Sequence, residues 1–186
     1  MSAIASSNLL RVSDYLLLPE GGPRYQLIEG DFVMAPSPRK SHQEISGGIY
    51  VLLLEHIKRD RKGAVMIAPF DVYLDDHNVY QPDVLFISSA REKKILLDDG
   101  VHGAPDLVVE VLSPSTARLD KDSKRRVYAR HGVSEMWLID PELRTVQIYR
   151  FKENAERPVA YLEMGDTLTT PLLPGLTVNL NSVFAS

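Results

Sequence analysis

The stretch PDLVVEVLSPST, residues 105–116, predicts a buried β-strand that carries a carboxylate in its middle. Residues 107–112 are apolar apart from Glu110, and a short apolar run that begins after proline is typical of a strand inside a sheet. Burying a carboxylate without a compensating partner costs several kcal/mol. Glu110 therefore needs a neutralising group from another part of the chain.

A second carboxylate occurs in a neighbouring strand pattern. Side chains alternate between the two faces of a strand, so Glu110 lies on the face opposite to Val109 and Val111. The run at residues 79–87 also predicts a strand, and it contains Asp83. If the two strands are neighbours, the carboxylates face each other and repel unless one is protonated or a cation lies between them. Mg²⁺ favours one or two carboxylates with water and phosphate oxygens, so we expect a site for Mg²⁺, with Mn²⁺ as a substitute.

The helix predicted over residues 120–131 carries a candidate third member of this site. Asp120, Lys124 and Tyr128 follow at four-residue spacing, which places them on one face of a helix. Lys124 would direct its ammonium group toward the carboxylates, where a lysine orients water or stabilises charge that develops on a phosphate. Tyr128 is interpreted as a core residue, and Gly132 is expected to end the helix.

The remaining patterns predict a mixed α/β domain whose central order is helix, three strands, helix, strand. A single domain at residues 1–186 would have its core at about 41–141, an N-terminal β-hairpin at about 24–35 and C-terminal antiparallel strands within about 145–186. The expected helices are at residues 13–18, with Ser13 as the N-cap, and 41–59, with Ser41 and Glu44 as a capping box. The expected strands, besides the two above, are at residues 25–28, 32–35, 64–74, 135–139, 145–151 and 159–162.

Composition excludes several classes of site. The chain has 186 residues and no cysteine, which excludes disulfides, thiolate catalysis and cysteine-ligated zinc. The net charge of −4 disfavours a protein that coats nucleic acid by charge alone, but it is compatible with an enzyme that holds divalent cations at an acidic site. The N-terminal residues lack a secretory signal pattern and no apolar run could span a bilayer, so we expect a cytoplasmic protein without a membrane partner.

Several segments, in this order, resemble the Uma-two family of restriction-endonuclease-like proteins, a branch of the PD-(D/E)XK nuclease superfamily. They are QPDV at residues 81–84, LVVEVLSPST at 107–116, the series Asp120, Lys124 and Tyr128, and GVSEMWLIDP at 132–141, preceded by YQLIEGDFVMAPSP at 25–38 and His42. The resemblance extends over about residues 13–150. It implies a restriction-endonuclease-like fold and Mg²⁺-dependent cleavage of DNA phosphodiester bonds by an endonuclease.

The resemblance also assigns roles to individual residues. Asp83 matches the motif aspartate and Glu110 matches the second acidic position, so both would be catalytic residues and metal ligands. The superfamily has a lysine two residues after that position, where this chain has Leu112. Lys124 resembles the lysine that has migrated to the following helix in some branches, and it would complete the catalytic set. DNA is the expected partner, and a homodimer would allow both strands of a duplex to be cut.

The sequence also offers auxiliary site residues, and it leaves alternative functions open. Glu29 and His42 are auxiliary candidates because they lie in the resembling segments, and Gln81 is one because it would share a strand face with Asp83. Leu112 leaves open a catalytically inactive protein that uses the nuclease fold to bind DNA or another partner, and a metal-dependent nuclease acting on RNA is a further alternative. A basic run on the second long helix is interpreted as a solvated face or as a contact to the phosphate backbone. It comprises Lys121, Arg125, Arg126 and Arg130.

Overall fold

A computed structural model describes residues 9–19, 21–35, 37–60, 62–113 and 120–185. The helices are α1 (Val12–Tyr15), α2 (Lys40–Asp60), α3 (Ser89–Ile95), α4 (Arg125–His131) and α5 (Leu180–Phe184), and a π-helical turn at Asp120–Lys124 leads into α4. The first strands are β1 (Tyr25–Ile28), β2 (Asp31–Met34), β3 (Gly63–Ile67), β4 (Val72–Asp75), β5 (Asn78–Tyr80), β6 (Val84–Ser88) and β7 (Leu96–Leu97). The others are β8 (Gly100–His102), β9 (Leu107–Val111), β10 (Glu135–Asp140), β11 (Thr145–Arg150), β12 (Ala160–Glu163), β13 (Thr167–Leu168) and β14 (Val178–Asn179).

The central sheet has the strand order β12-β11-β10-β9-β6-β3. Strands β9 and β10 are parallel, while the other neighbours in this sheet are antiparallel. A parallel pair needs a crossover connection, and α4 lies in the connection between β9 and β10. In chain order, α2, β3, β6, β9, α4 and β10 therefore give the predicted sequence of helix, three strands, helix and strand, and that prediction is confirmed.

Both faces of β9 are covered, and each face has its own apolar cluster. Leu107, Val109 and Val111 belong to the cluster that includes the buried residues of α2. Val108 and Leu112 belong to a second cluster, which includes the buried residues of α4. The alternation expected of a strand is therefore present, and the side chain of residue 110 falls on the α4 face.

A second sheet packs on the same side as α4, with the order β2-β1-β5-β4-β8-β7. Ile28 of β1 and Tyr80 of β5 join the apolar cluster that contains Val108 and Tyr128. The predicted hairpin is present, and its two turn residues, Glu29 and Gly30, have φ angles of 50° and 83°. Two successive residues with positive φ form the turn that matches the twist of a tight hairpin.

Two predicted strands were each wrong in the same way. The run at residues 64–74 is divided between β3 in the central sheet and β4 in the second sheet, and the run at 79–87 is divided between β5 and β6. Buried apolar residues occur on both sides of each break, so the periodicity does not reveal where the chain crosses between sheets. Pro69 and Pro82 lie in the two breaks, where proline can be accommodated without loss of a ladder hydrogen bond. Asp83 consequently lies in the bend before β6 and not inside a strand.

The helix ends also differ from the predicted caps. The N-cap of α1 is Arg11, so Ser13 lies inside that helix, which ends at Tyr15. Helix α2 begins at Lys40, so Ser41 lies within it, and Glu44 pairs with Lys40 at 3.2 Å. Gly132 ends α4 in the left-handed region, with a φ of 88°, as predicted.

Among the residues described, no helix has both the length and the apolar character needed to cross a membrane.

Candidate active site

The three predicted catalytic residues line one cleft of about 240 Å³. Asp83 precedes β6, Glu110 is on β9 and Lys124 ends the π-helical turn before α4. The hairpin β1–β2, the loop that follows it, the first turns of α2 and the end of β3 form much of the remaining wall. The cleft is lined by Arg24, Gln26, Val33, Met34, Ala35, Ser37, Pro38, Arg39, His42, Gln43, Ser46, Ile67, Ala68, Gln81, Asp83, Glu110, Val111, Ser113 and Lys124.

Glu110 is buried, and both of its carboxylate oxygens accept hydrogen bonds. Its side chain is 3% exposed. The ammonium Nζ of Lys124 donates to Oε2 at 2.9 Å, and the hydroxyl of Tyr128 donates to Oε1 at 2.6 Å. Lys124 and Tyr128 are four residues apart, so the same helix face presents both donors to the carboxylate. A buried carboxylate is thus tolerated in β9 because a buried ammonium group neutralises it, whereas the sequence predicted that a divalent cation has this role.

Asp83 is fixed by the backbone of β9. Its Oδ2 accepts a hydrogen bond from the amide of Val111 at 2.7 Å. Strands β6 and β9 are antiparallel, and Val84 is paired with Val109. One step further along this register places Asp83 beside Glu110, so the expected proximity of the two carboxylates follows from strand pairing even though Asp83 itself lies in a bend.

His42 stands beside Asp83 at the start of α2. Its Nε2 is 3.3 Å from Oδ2 of Asp83, and its backbone carbonyl accepts a hydrogen bond from the Ser46 hydroxyl at 2.7 Å. Burial by itself lowers the pKa of His42, but the hydrogen bond to Asp83, the charges of Asp83 and Glu110 and a contact to the Val111 backbone raise the pKa above its ordinary value. The imidazole is therefore biased toward the protonated form in this acidic corner of the cleft.

The other two auxiliary candidates are placed differently. Gln81 lines the cleft, but its side-chain Nε2 donates to Oδ1 of Asp71 at 2.7 Å, and its backbone amide donates to Oε1 of Gln26 at 3.0 Å. Gln81 therefore links the segment before Asp83 to the second sheet. Glu29 is exposed in the hairpin turn and does not line the cleft.

Sequence reasoning missed three residues at or beside this cleft. The exposed Arg24 and Arg39 line it and add positive charge to its wall. Only the fold brings them there, since nothing in their local sequence distinguishes them from other surface arginines. Tyr128 was interpreted as a core residue, and it is fully buried, but its hydroxyl contacts Glu110. Its four-residue spacing from Lys124 was the available signal.

The predicted basic run of the second long helix lies elsewhere. Arg125, Arg126 and Arg130 line a different depression, together with Ala129, Ala155 and Glu156. It shares no lining residue with the cleft of the carboxylates. Residues 114–119 and the side chains of Asp120 and Lys121 lie outside the described part of the chain.

The donor groups of the cleft fit a hard divalent cation. Within the described ranges, no group of three or more His, Cys, Asp or Glu side chains is arranged to hold a metal ion. Mg²⁺ does not require such a group, because it commonly binds one or two carboxylates and takes its other ligands from water and phosphate oxygens. Asp83 and Glu110 can supply those two carboxylates.

The sequence model of the Uma2 family, described as "Putative restriction endonuclease", matches residues 12–181. The chain belongs to this family. The predicted family membership is confirmed, and the match extends further at the C-terminus than the segments that first suggested it.

A solved structure has the same fold. It is described as the crystal structure of "a putative nuclease belonging to DUF820 from Anabaena variabilis ATCC 29413". The sequence identity is 22% and the TM-score is 0.79, over 95% of this chain and 98% of that chain. The predicted restriction-endonuclease-like fold is thereby confirmed. No curated protein matches the chain.

Proposed function

We propose that this Uma2 family member is an endonuclease that hydrolyses DNA phosphodiester bonds with Mg²⁺, for which Mn²⁺ can substitute. One observation carries the proposal: the fold brings Asp83, Glu110 and Lys124, which lie far apart in the sequence, to one cleft. Two carboxylates with a lysine are the side chains needed to hold a divalent cation next to a phosphodiester and to stabilise the charge that develops on it.

Each residue has a distinct role in this proposal. Asp83, whose orientation is set by the Val111 amide, and Glu110, whose orientation is set by Lys124 and Tyr128, provide the metal ligands. A bound divalent cation would polarise the scissile phosphate and lower the pKa of a water molecule. Lys124 stabilises the negative charge that grows on the phosphate oxygens. His42 holds Asp83 in place and adds positive charge beside the carboxylates.

Substrate binding is assigned to the arginines at the mouth of the cleft. Arg24 and Arg39 are exposed and lie on the elements that form its wall. Arginine binds phosphate oxygens in a bidentate geometry, and such contacts fix the register of a nucleic acid without reading its sequence.

The test is cleavage of supercoiled and linear duplex DNA in the presence of Mg²⁺, Mn²⁺ or EDTA. The wild type is compared with Asp83→Asn and Glu110→Gln, and the exposed Asp98→Asn is the matched control. We expect metal-dependent cleavage by the wild type and the control, and loss of cleavage in both site variants. Equal activity in all four proteins would refute the assigned site.

The alternatives give different results in the same assay. Cleavage of RNA but not of DNA would favour a ribonuclease. Absence of cleavage together with retained binding of DNA would favour a catalytically inactive member of the fold, as Leu112 at the usual lysine position suggests.

A further inference from the structure

We propose that Lys124 would have to give up its contact with Oε2 of Glu110 for this carboxylate to serve as a metal ligand, and that Tyr128 is a positioning residue that retains Oε1. The inference rests on the proposed metal-dependent function and deepens it, because it specifies which existing contact is exchanged when the metal binds. It also assigns to Tyr128 a role that its burial alone does not suggest.

The competition follows from the position of the ammonium group. Nζ of Lys124 is 2.9 Å from Oε2 of Glu110, and the two side chains are 4% and 3% exposed. Little water is therefore available to screen a second positive charge at that carboxylate, and charges interact more strongly in such surroundings than in solvent. A divalent cation bound to Oε2 while the ammonium group stays in place would put like charges side by side. Metal binding and the Lys124–Glu110 ion pair are thus mutually unfavourable.

The other oxygen is held by a donor that can stay. The hydroxyl of Tyr128 is neutral and donates to Oε1 at 2.6 Å, so it does not repel a cation. Its ring is fully buried and makes an edge-to-face contact with Tyr80, with centroids 5.3 Å apart and an interplanar angle of 83°. The Tyr80 hydroxyl is itself bound to Oδ1 of Asn78 at 3.0 Å. The ring of Tyr128 is therefore held in place, and its hydroxyl fixes Oε1 while Oε2 is the oxygen that contacts Lys124.

The exchange gives Lys124 two successive positions. Before the metal binds, Lys124 neutralises Glu110 and so allows a carboxylate to be buried in β9. After the exchange its ammonium group is released toward the cleft that it already lines, where a phosphate would lie. The ammonium group of Lys124 stabilises Glu110 in the metal-free protein, and it becomes available to the substrate only when the metal is bound.

The experiment measures binding of Mn²⁺ to the full chain without DNA, by isothermal titration calorimetry and electron paramagnetic resonance at pH 8. The variants are Lys124→Met, which removes the charge, Lys124→Arg, which keeps it, and Tyr128→Phe. The exposed Lys94→Met on α3 is the control. Circular dichroism checks that each variant is folded.

We expect Lys124→Met to bind Mn²⁺ roughly ten-fold more tightly than the wild type, a typical size for coupling between two ligands. Lys124→Arg and Lys94→Met should show no such gain. Tyr128→Phe should bind Mn²⁺ more weakly, which a purely structural role of the tyrosine would not produce in a folded variant. Unchanged or weaker binding by Lys124→Met would overturn the competition, and unchanged binding by Tyr128→Phe would overturn the positioning role.

A measurement on the wild type covers the case in which a variant does not fold. The NMR signal of the Lys124 side chain should shift when Mg²⁺ is added, while that of Lys94 should not. An unchanged Lys124 signal at saturating Mg²⁺ would overturn the exchange.

If the wild type cleaves DNA and binds metal but Lys124→Met gains no affinity, only this inference fails. If the wild type neither binds metal nor cleaves, the proposed function fails as well.

Discussion

Nζ of Lys124 lies 2.9 Å from Oε2 of Glu110, although the residues are 14 positions apart and belong to a π-helical turn and a central strand. The turn ends at Lys124, where α4 begins, so the lysine is delivered to the sheet by the crossover between the parallel strands β9 and β10.

The buried pair has a measurable stability consequence. Glu110→Gln keeps the shape of the side chain but removes a negative charge that lies 2.9 Å from the buried ammonium group of Lys124. We expect the free energy of unfolding to fall by about 3 kcal/mol, as when one partner of a buried ion pair is removed. Urea denaturation of the metal-free protein measures it. The double variant Glu110→Gln/Lys124→Met should recover part of the loss, and strictly additive losses would contradict direct coupling.

His42 should titrate above 6.5, its ordinary pKa, in the metal-free protein, because Asp83 and Glu110 outweigh the effect of burial. A raised pKa in the folded state means that protonated His42 adds stability at pH values below 6.5, and that this stability is lost as the pH rises through the folded pKa. NMR titration of the imidazole measures the value. In Asp83→Asn the pKa should fall, since the main partner is gone, whereas Glu110→Gln should lower it less. A titration that is the same in Asp83→Asn and wild type would argue against the contact.

The sequence was sufficient for those parts of the fold that depend on local periodicity. The alternation of Val108, Val109 and Glu110 correctly placed the carboxylate on the face away from α2, and the four-residue spacing of Lys124 and Tyr128 correctly placed them together. Periodicity fails where a chain passes from one buried sheet to another, because both sides are apolar. For this reason the strands around Pro69 and Pro82 were predicted as continuous.

The residues that form the wall of the candidate site were harder to predict from the sequence than Asp83, Glu110 and Lys124 at its centre. Arg24 and Arg39 reach the cleft only because the hairpin β1–β2 and the loop after it form part of its wall. Gln81 was expected to share a face with Asp83, but the break in the strand turns its amide toward Asp71. Such contacts depend on long-range packing, which no short sequence pattern encodes.

Leu112 offers a test of whether a lysine at position 112, after β9, can replace Lys124 as the partner of Glu110. Leu112 is 6% exposed and lies in the apolar cluster with Val127 and Tyr128. Leu112→Lys alone should destabilise the protein by roughly 3 kcal/mol, because it buries a second ammonium group beside Lys124. In the Lys124→Met background, where Glu110 needs a counter-charge, the same change should cost less and restore part of the cleavage activity.

The two single variants and the double variant are compared. Urea denaturation measures their stability, and the cleavage assay with supercoiled DNA measures their activity. The matched control is Leu112→Met, which keeps the size and the apolar character of the side chain. An equal cost of Leu112→Lys in both backgrounds would mean that residue 112 does not reach the carboxylate.

The positive rim of the cleft should control how DNA binding depends on salt. Each phosphate contact that is lost reduces the slope of log K against log salt by about one unit, without changing sequence preference. We expect this change for Arg24→Ala and for Arg39→Ala, since both side chains line the cleft. Fluorescence anisotropy with a short duplex at several salt concentrations, with Ca²⁺ in place of Mg²⁺, measures the slope. Arg126→Ala is the matched control, because Arg126 lies on a different depression. If Arg126→Ala reduced the slope and Arg24→Ala did not, the DNA would follow the α4 surface and not the cleft.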